Sequence, residues 1–491
     1  MKLSQLIQGL DFTLDAGSLD VEISALEYDS RKVVPGSLFV CLTGFQTDGH
    51  DYIPKALKAG AAALVVEREV PVPEGTAVLR VEDSRAALAL LAAAWFGHPA
   101  EGMFIIGLTG TKGKTTTAHM LKAILEAAGH KVGMIGTIGA VIAGEKVETK
   151  NTTPESYELH SLFRRMADAG CSHVVMEASS QGFKLRRTAG VQFDIGVFLN
   201  LSPDHIGPGE HESFEEYLQC KRLMFRQCRQ GLVNSDDVYC QEVTEGALCP
   251  LRTFSMSQPA DYRAGEIAEE RRPGFLGSRF TASGPVSGEF LLNMPGRFNV
   301  ENALAALAAA DLAGICREAI AAGLETVHVK GRTQVLPTPG HYTLLIDYAH
   351  NAVSAENLLS MLRAYNPHRL ICLFGGGGNR SRLRRYDMGE MSAKYADLTV
   401  LTMDNPRDEE VEAINEDIKV GLARHDGKYV TIPDRADAIR WVMDQAQEGD
   451  IIALIGKGHE EYQEIKGVKH FFSEEQVVLE HLASGGAAGQ G

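Results

Sequence analysis

The chain has 491 residues, 44% of them apolar and 23% charged, with a formal net charge of −16. That length accommodates about three domains of ordinary size. The acidic balance excludes a broad nucleic-acid surface, which needs clustered Lys and Arg against phosphates. No apolar run approaches the ~18 residues of a membrane span, and Met1-Lys2-Leu3-Ser4-Gln5 lacks the apolar core of a secretory signal. The eight cysteines show no CxxC pair or regular spacing. They fit a reducing cytoplasm better than a disulfide framework or a zinc cluster.

Short apolar runs alternate with amphipathic stretches, the mark of α/β architecture. Three blocks are expected: 1–98, 99–330 and 331–491. In the first, Asp29-Ser30-Arg31 precedes Pro35-Gly36-Ser37-Leu38-Phe39-Val40. Gly44-Phe45-Gln46-Thr47-Asp48-Gly49 follows, ahead of Tyr52-Ile53. By itself Asp29-Ser30-Arg31 reads as an ordinary turn. A helical stretch over 86–96 then meets the break His98-Pro99-Ala100.

The middle block opens with a buried-strand pattern, Phe104-Ile105-Ile106-Gly107-Leu108. A helix is expected over 116–128, closed by Gly129. Between them lies Gly110-Thr111-Lys112-Gly113-Lys114-Thr115. Glycines there let backbone N–H groups point at phosphate oxygens, Lys114 reaches outer phosphates, and the Thr115 hydroxyl suits Mg²⁺. Leu108 stands where the strict GxxxxGK[ST] pattern has Gly, so the alternative is a ligand-free strand-to-helix turn.

Asn151-Thr152-Thr153-Pro154 reads as a helix N-cap with proline in the first turn. Val174-Val175-Met176-Glu177-Ala178-Ser179-Ser180 is a strand ending in an acid. A carboxylate there suits Mg²⁺, which prefers oxygen; the alternative is a Glu capping a helix. Asn200-Leu201-Ser202-Pro203-Asp204-His205 follows another apolar run. Lys221, in a helical stretch from 214, reads as a surface lysine. Asn299 sits where it could cap an Ala-rich helix over 301–313.

In the third block, apolar runs at 344–346, 370–374, 398–401 and 451–455 read as strands, each followed by polar or Gly-rich residues. In a parallel sheet these segments share the carboxyl edge, where α/β ligand sites form. The motifs there are Asp347-Tyr348-Ala349-His350, Gly375-Gly376-Gly377-Gly378-Asn379-Arg380, Asp404-Asn405-Pro406-Arg407 and Gly456-Lys457-Gly458-His459-Glu460. A Gly/Ala/Ser-rich tail over 483–491 is expected to be disordered. No internal repeat is evident.

Residues 110–115 with Thr116-Thr117 resemble the GT(N/K)GKTTT signature of the Mur ligases, with Lys112 where Asn is commoner. The resemblance spans nearly the whole chain. It implies three α/β domains: a smaller N-terminal domain binding a uridine-diphosphate sugar (1–98), a central P-loop NTPase-like parallel sheet binding ATP (99–330), and a C-terminal Rossmann-like ligase domain binding an amino acid (331–491). It implies ATP contacts from Gly110, Thr111, Lys112, Gly113, Lys114, Thr115, Thr116, Asn299, Arg332, Asp347 and His350. Catalytic and Mg²⁺ roles fall on Lys114, Thr115, Glu177, His205 and Lys221, the last as a carbamate. Ser30, Asn151, Thr152, Thr153, Ser179 and Arg187 match positions for a UDP-N-acetylmuramoyl-L-alanyl-D-glutamate substrate.

Asp404, Asn405, Pro406 and Arg407, with Arg380, Gly456 and Glu460, resemble the meso-diaminopimelate-adding members of the family. The physical case agrees. Diaminopimelate carries a second carboxylate that lysine lacks, and a planar Arg fork grips a carboxylate through two hydrogen bonds. Arg407 fits that task, and Glu460 suits the distal ammonium. Departures from the family pattern are Phe45-Gln46, Gln181, residues 207–210 and Asn351-Ala352. The rivals are a lysine-adding ligase, a folylpolyglutamate synthase-like ligase and a non-catalytic binding protein on the same scaffold. A monomer is expected.

Overall fold

The computed structural model describes residues 1–44, 47–207 and 209–485. Phe45, Gln46, Pro208 and the tail beyond Gly485 lie outside the described residues, so those departures and most of the expected disordered tail have no structural account. Ala483 closes the last helix, Glu474–Ala483. The chain forms two compact units: Met1–Arg263 with Ser283–Val286 and Asn302–Gly323, and Ala264–Ala282 with Ser287–Glu301 and Leu324–Gly491.

The first unit holds a five-stranded sheet in the order Thr13–Ala16, Ala77–Arg80, Ala63–Val66, Ser37–Val40, Ala25–Glu27. Only the first of these strands runs antiparallel to its neighbour. A second sheet carries the parallel run Leu251–Ser255, Cys228–Asn234, Phe193–Phe198, Phe104–Thr109, His173–Glu177, Val132–Gly136. The central strand Phe104–Thr109 is covered on both faces, with Ile105, Ile106 and Leu108 fully buried. Continuous apolar runs of this kind are what a parallel sheet flanked by helices demands. At Gly107 a Cβ would lie 2.6 Å from the Phe193 ring, so glycine lets that neighbouring strand's aromatic ring pack inward.

The helix Lys114–Ala127 starts two residues earlier than the sequence pattern suggests. Gly113 (φ 87°) takes the left-handed turn at its N-cap, and a Cβ there would fall 2.3 Å from Asn302 Oδ1. Thr117, Met120, Leu121, Ile124 and Leu125 form its buried stripe. Gly129 (φ 86°) follows its end.

In the second unit, a six-stranded sheet runs Gln334–Leu336, Thr343–Asp347, Ile451–Ile455, Leu370–Phe374, Leu398–Leu401, Tyr429–Thr431. All but the first strand are parallel. The four expected strands are therefore present and share their carboxyl edge. A separate hairpin, Tyr462–Ile465 paired with Val468–Phe471, follows the last of them. Among the described residues no helix is long and apolar enough to cross a membrane.

Candidate active site

In the first unit, the strand Phe104–Thr109 delivers the loop 110–115 to the carboxyl edge, where segment 200–205 holds it. Asn200 grips Lys112 from both sides, its Oδ1 accepting from Lys112 N at 2.8 Å and its Nδ2 donating to Lys112 O at 3.1 Å. Thr111 N donates to Asn200 O at 2.9 Å. Thr111 Oγ1 accepts from Ser202 N (3.0 Å) and lies 3.0 Å from the Tyr217 hydroxyl. Lys114 Nζ donates to Gly110 O (2.7 Å) and Thr111 O (3.2 Å). Thr115 O accepts from His119 Nδ1 at 2.8 Å, and Thr116 lies in the first turn of the helix.

Lys221 is the main correction to the sequence reading. It is not a surface lysine but is 1% exposed, and its Nζ donates to the same Gly110 carbonyl at 3.0 Å. It also stacks 4.5 Å over the Tyr217 ring. Burial, then the neighbouring Lys114 charge, pushes its pKa well below the ordinary 10.5. Burial lowers the Lys114 pKa as well, opposed by Glu177 and Asp204. Two amines on one carbonyl repel when both are charged, so the pocket favours a neutral amine at Lys221.

Glu177 ends its strand 2% exposed. Its two oxygens are set by Thr137, whose N donates to Oε1 and whose hydroxyl donates to Oε2, both at 3.1 Å. Gly136 makes room for it, since a Cβ there would fall 2.2 Å from Oε1. Glu177 therefore caps no helix; that role belongs to Ser179, whose Oγ accepts from Gly182 N at 3.0 Å. His205 lies on an exposed turn (φ 56°), with Nδ1 3.1 Å from Glu210 Oε1 and its ring 6.0 Å from that of Tyr217. Among the described residues no three His, Cys, Asp or Glu side chains gather into a ready-made metal cage.

The segment 151–154 also departs from its expected role. The helix begins at Ser156 with Glu155 at the N-cap, so Pro154 precedes it rather than sitting in its first turn. Instead, Thr153 is a buried knot. Its hydroxyl donates to Glu177 O (3.0 Å) and accepts from Ser179 N (3.0 Å). Arg187 donates to Thr153 O (3.0 Å) and pairs with Glu155 at 2.7 Å. Thr152 meets Thr137 at 3.2 Å, while Asn151 is exposed. Ser30 is nearly buried beside an Asp29–Arg31 ion pair at 2.7 Å, which holds the Asp29 pKa down to about 2. Next to it, Tyr28 donates to Glu158 at 2.7 Å.

The second unit carries its own cluster. Asp347 accepts from Thr333 N (2.7 Å) and Ala349 N (2.8 Å), stitching Gly331-Arg332-Thr333 to the strand end; burial raises its pKa. The Arg332 guanidinium lies 5.2 Å over the Tyr348 ring. His350 Nδ1 donates to Tyr348 O at 2.8 Å. Asn351 caps the helix Ala352–Arg363 through Ser354 N (2.9 Å), so that departure preserves a helix start. Asn299 lies inside the helix Arg297–Leu312 rather than at its cap, with Nδ2 donating to Pro295 O at 2.7 Å.

Four of the five carboxyl-edge loops of the six-stranded sheet line one pocket, which includes Arg380, Asp404, Asn405, Arg407, Gly456 and Glu460. The glycine run is packed against the 404–407 loop. A Cβ at Gly378 would fall 1.7 Å from Pro406 O, and one at Gly375 would fall 2.2 Å from Thr402 O. Asn405 Nδ2 donates to Glu460 Oε2 at 3.0 Å. Lys457 is fully buried and donates to Asp404 Oδ1 (3.1 Å) and Asn405 Oδ1 (3.2 Å). Its charge offsets the acids that surround the pocket floor.

Sequence reasoning missed Asn200, Tyr217, Thr137 and Lys457 as organising residues. Three of them sit inside motifs that the sequence already singles out. Thr137 carries no local signal, since its role exists only because two parallel strands end side by side.

Comparison with known proteins accounts for this arrangement. Family models match as Mur ligase family, catalytic domain (22–96), Mur ligase middle domain (108–310) and Mur ligase, glutamate ligase domain (331–458). The chain belongs to the Mur ligase family and is an ATP-dependent, amide-bond-forming ligase. It is 39% identical over 489 residues to the UDP-N-acetylmuramoyl-L-alanyl-D-glutamate–2,6-diaminopimelate ligase of Clostridium perfringens, covering 98% of this chain and 99% of the relative. It is 40% identical over 485 residues to the ligase of the same name from Caldanaerobacter subterraneus, again covering 98% and 99%. A solved structure of a ligase with that name superposes with a TM-score of 0.77 at 28% identity, covering 99% of both chains.

Proposed function

We propose that this ligase adds meso-2,6-diaminopimelate to UDP-N-acetylmuramoyl-L-alanyl-D-glutamate, consuming ATP, in peptidoglycan synthesis. The observation that carries the amine assignment is the second-unit pocket, where the Arg407 guanidinium and the Glu460 carboxylate line one cavity. A zwitterionic side-chain end needs a cation and an anion to receive it, and lysine would leave the remaining N–H donors of Arg407 without the carboxylate that completes their hydrogen bonds. Arg380 lines the same pocket and suits a carboxylate.

In the proposed reaction, ATP binds through residues 110–116, with Asn299, Arg332, Asp347 and His350 on the nucleotide side. The γ-carboxylate of D-glutamate attacks the γ-phosphorus and ADP leaves, giving an acyl phosphate. The amine then attacks the acyl carbon, and phosphate leaves from the tetrahedral intermediate. Lys114 places a positive charge at the transferring phosphoryl group. Ser30, Asn151, Thr152, Thr153, Ser179 and Arg187 are assigned to the UDP-muramoyl dipeptide. The three family-model ranges correspond, in this reading, to domains 1–98, 99–330 and 331–491.

The donor set fits Mg²⁺, which takes oxygen ligands. The Glu177 carboxylate, the Thr115 hydroxyl and a Lys221 carbamate offer such oxygens, with His205 as a further ligand. Bound there, Mg²⁺ supplies charge neutralisation to phosphate oxygens. The neutral amine favoured at Lys221 is the form that adds carbon dioxide, and the carbamate so formed turns the repulsion of Lys114 into attraction. A step that consumes ATP on a nucleotide-linked sugar belongs in the cytoplasm, where we expect this one.

The test is phosphate release from ATP with Mg²⁺ and the UDP-muramoyl dipeptide, supplied with diaminopimelate, lysine or no amine. Turnover should require diaminopimelate. Equal turnover with lysine would overturn the amine assignment, and none with any amine would support a non-catalytic role.

A further inference from the structure

The geometry points to Glu464 as a positioning residue that sets amine selectivity by holding the Arg407 guanidinium away from Glu460. This rests on Arg407 being the receptor for the distal carboxylate.

Arg407 offers five N–H donors in a planar fork. Its Nε donates to Glu464 Oε2 at 3.1 Å and its Nη1 donates to Gly378 O at 2.8 Å. One Nη1 hydrogen and both Nη2 hydrogens then remain to donate to a bound carboxylate. The main chain of Arg407 is in the left-handed region, with φ 50°, a strained conformation for a side-chain-bearing residue. The hairpin secures it there. Arg407 N donates to Glu464 O at 3.0 Å, and Lys466 N donates to Arg407 O at 2.8 Å. Glu464 N meanwhile donates to Asn405 Oδ1 at 3.0 Å. One residue therefore fixes the backbone of Arg407, the orientation of its fork and the amide of Asn405.

The charge logic explains why an acid stands there. Recognising an ammonium–carboxylate pair requires that the pocket's own cation and anion stay apart. Arg407 and Glu460 line one pocket and would otherwise neutralise each other. Glu464 occupies the Nε side of Arg407, while Asn405 and Lys457 occupy the Glu460 side, at 3.0 and 4.0 Å from Glu460 Oε2. Each partner keeps one half of the receptor from collapsing onto the other.

The experiment measures KM and kcat for diaminopimelate, lysine, ATP and the UDP-muramoyl dipeptide in wild type, Glu464→Ala, Glu464→Gln, Arg407→Ala and the Arg407→Ala/Glu464→Ala double variant. Glu464→Ala should raise KM for diaminopimelate about tenfold, the scale of one charge-assisted hydrogen bond. It should narrow the preference over lysine and leave KM for the other two substrates unchanged. Glu464→Gln keeps an oxygen for Nε and should restore most of the loss. In the Arg407→Ala background, Glu464→Ala should add nothing. Multiplicative losses in the double variant, or equal losses for all substrates, would overturn the proposal. If Arg407→Ala removes the preference and Glu464→Ala does not, the positioning role alone fails. If Arg407→Ala leaves the preference intact, the reading of Arg407 fails first and takes this role with it.

Discussion

The loop 110–115 of the first unit, which we assign to the phosphates, and the pocket of the second, which we assign to the amine, are built from opposite materials. The loop is held mainly by main-chain groups and neutral side chains, with Asn200, Thr111 and Tyr217 tying it down. Lys114 within it and Lys221 beside it bond to carbonyls rather than to acids. The pocket is a lattice of opposed charges, with Arg407 on Glu464 and Lys457 on Asp404. A triphosphate presents the same outline in every ATP enzyme, so a backbone cradle suffices. One amino acid must be told from another by the position of its charges, and that requires charges fixed in place.

Four changes would break or sharpen this contrast. Lys221→Ala removes the buried amine beside the loop and should lower kcat on the order of 100- to 1000-fold, the range for losing one preorganised charge contact. Added short carboxylates should restore part of it, and buffer freed of carbon dioxide should slow the wild type reversibly. Rates that ignore both treatments would remove the carbamate from the mechanism. Arg407→Ala should cut kcat/KM for diaminopimelate about 100-fold while leaving KM for ATP unchanged. A matching loss in ATP affinity would erase the division of labour between the two regions. Asn200→Ala frees the main chain of residue 112 on both sides and should raise KM for ATP about tenfold through lost positioning. The smallest effect belongs to Tyr28→Phe, which removes the bond to Glu158 and should cost about 1–2 kcal/mol in denaturant unfolding with the rate per folded molecule unchanged.

Lys221 also predicts a pH dependence. Its folded pKa is depressed, so the unmodified protein takes up a proton on unfolding anywhere between that depressed value and 10.5. Its contribution to stability therefore grows as pH rises through that window and is lost as pH falls. Lys221→Met should flatten this slope and raise Tm at pH 7 relative to unmodified protein, while activity is lost. An unchanged slope would mean that the amine is already modified or solvated.

Much of the scaffold was legible because buried parallel strands need uninterrupted apolar runs, and 370–374, 398–401 and 451–455 match the observed strands residue for residue. The burial of Lys221 was harder to see, since lysine is ordinarily a surface residue. Its spacing of four from Tyr217 was the available signal, because both lie on the inward stripe of one helix. Thr137 on Glu177 and Glu464 on Arg407 were not legible at all. Each contact joins distant chain positions whose meeting depends on which strands become neighbours. The segment 151–154 misled for another reason: its cap-like residues serve Thr153's contacts with Glu177 and Ser179 and leave the helix start to Glu155.

The absent side chain at position 136 has a practical consequence. Gly136→Ala would press a methyl group onto Glu177 while leaving every polar group of the first unit chemically intact. On the role we propose for Glu177, an enzyme slowed by crowding at that carboxylate is the kind of stalled catalyst on which intact reagents can be captured together. That single carbon offers a crystallographer's brake on the reaction.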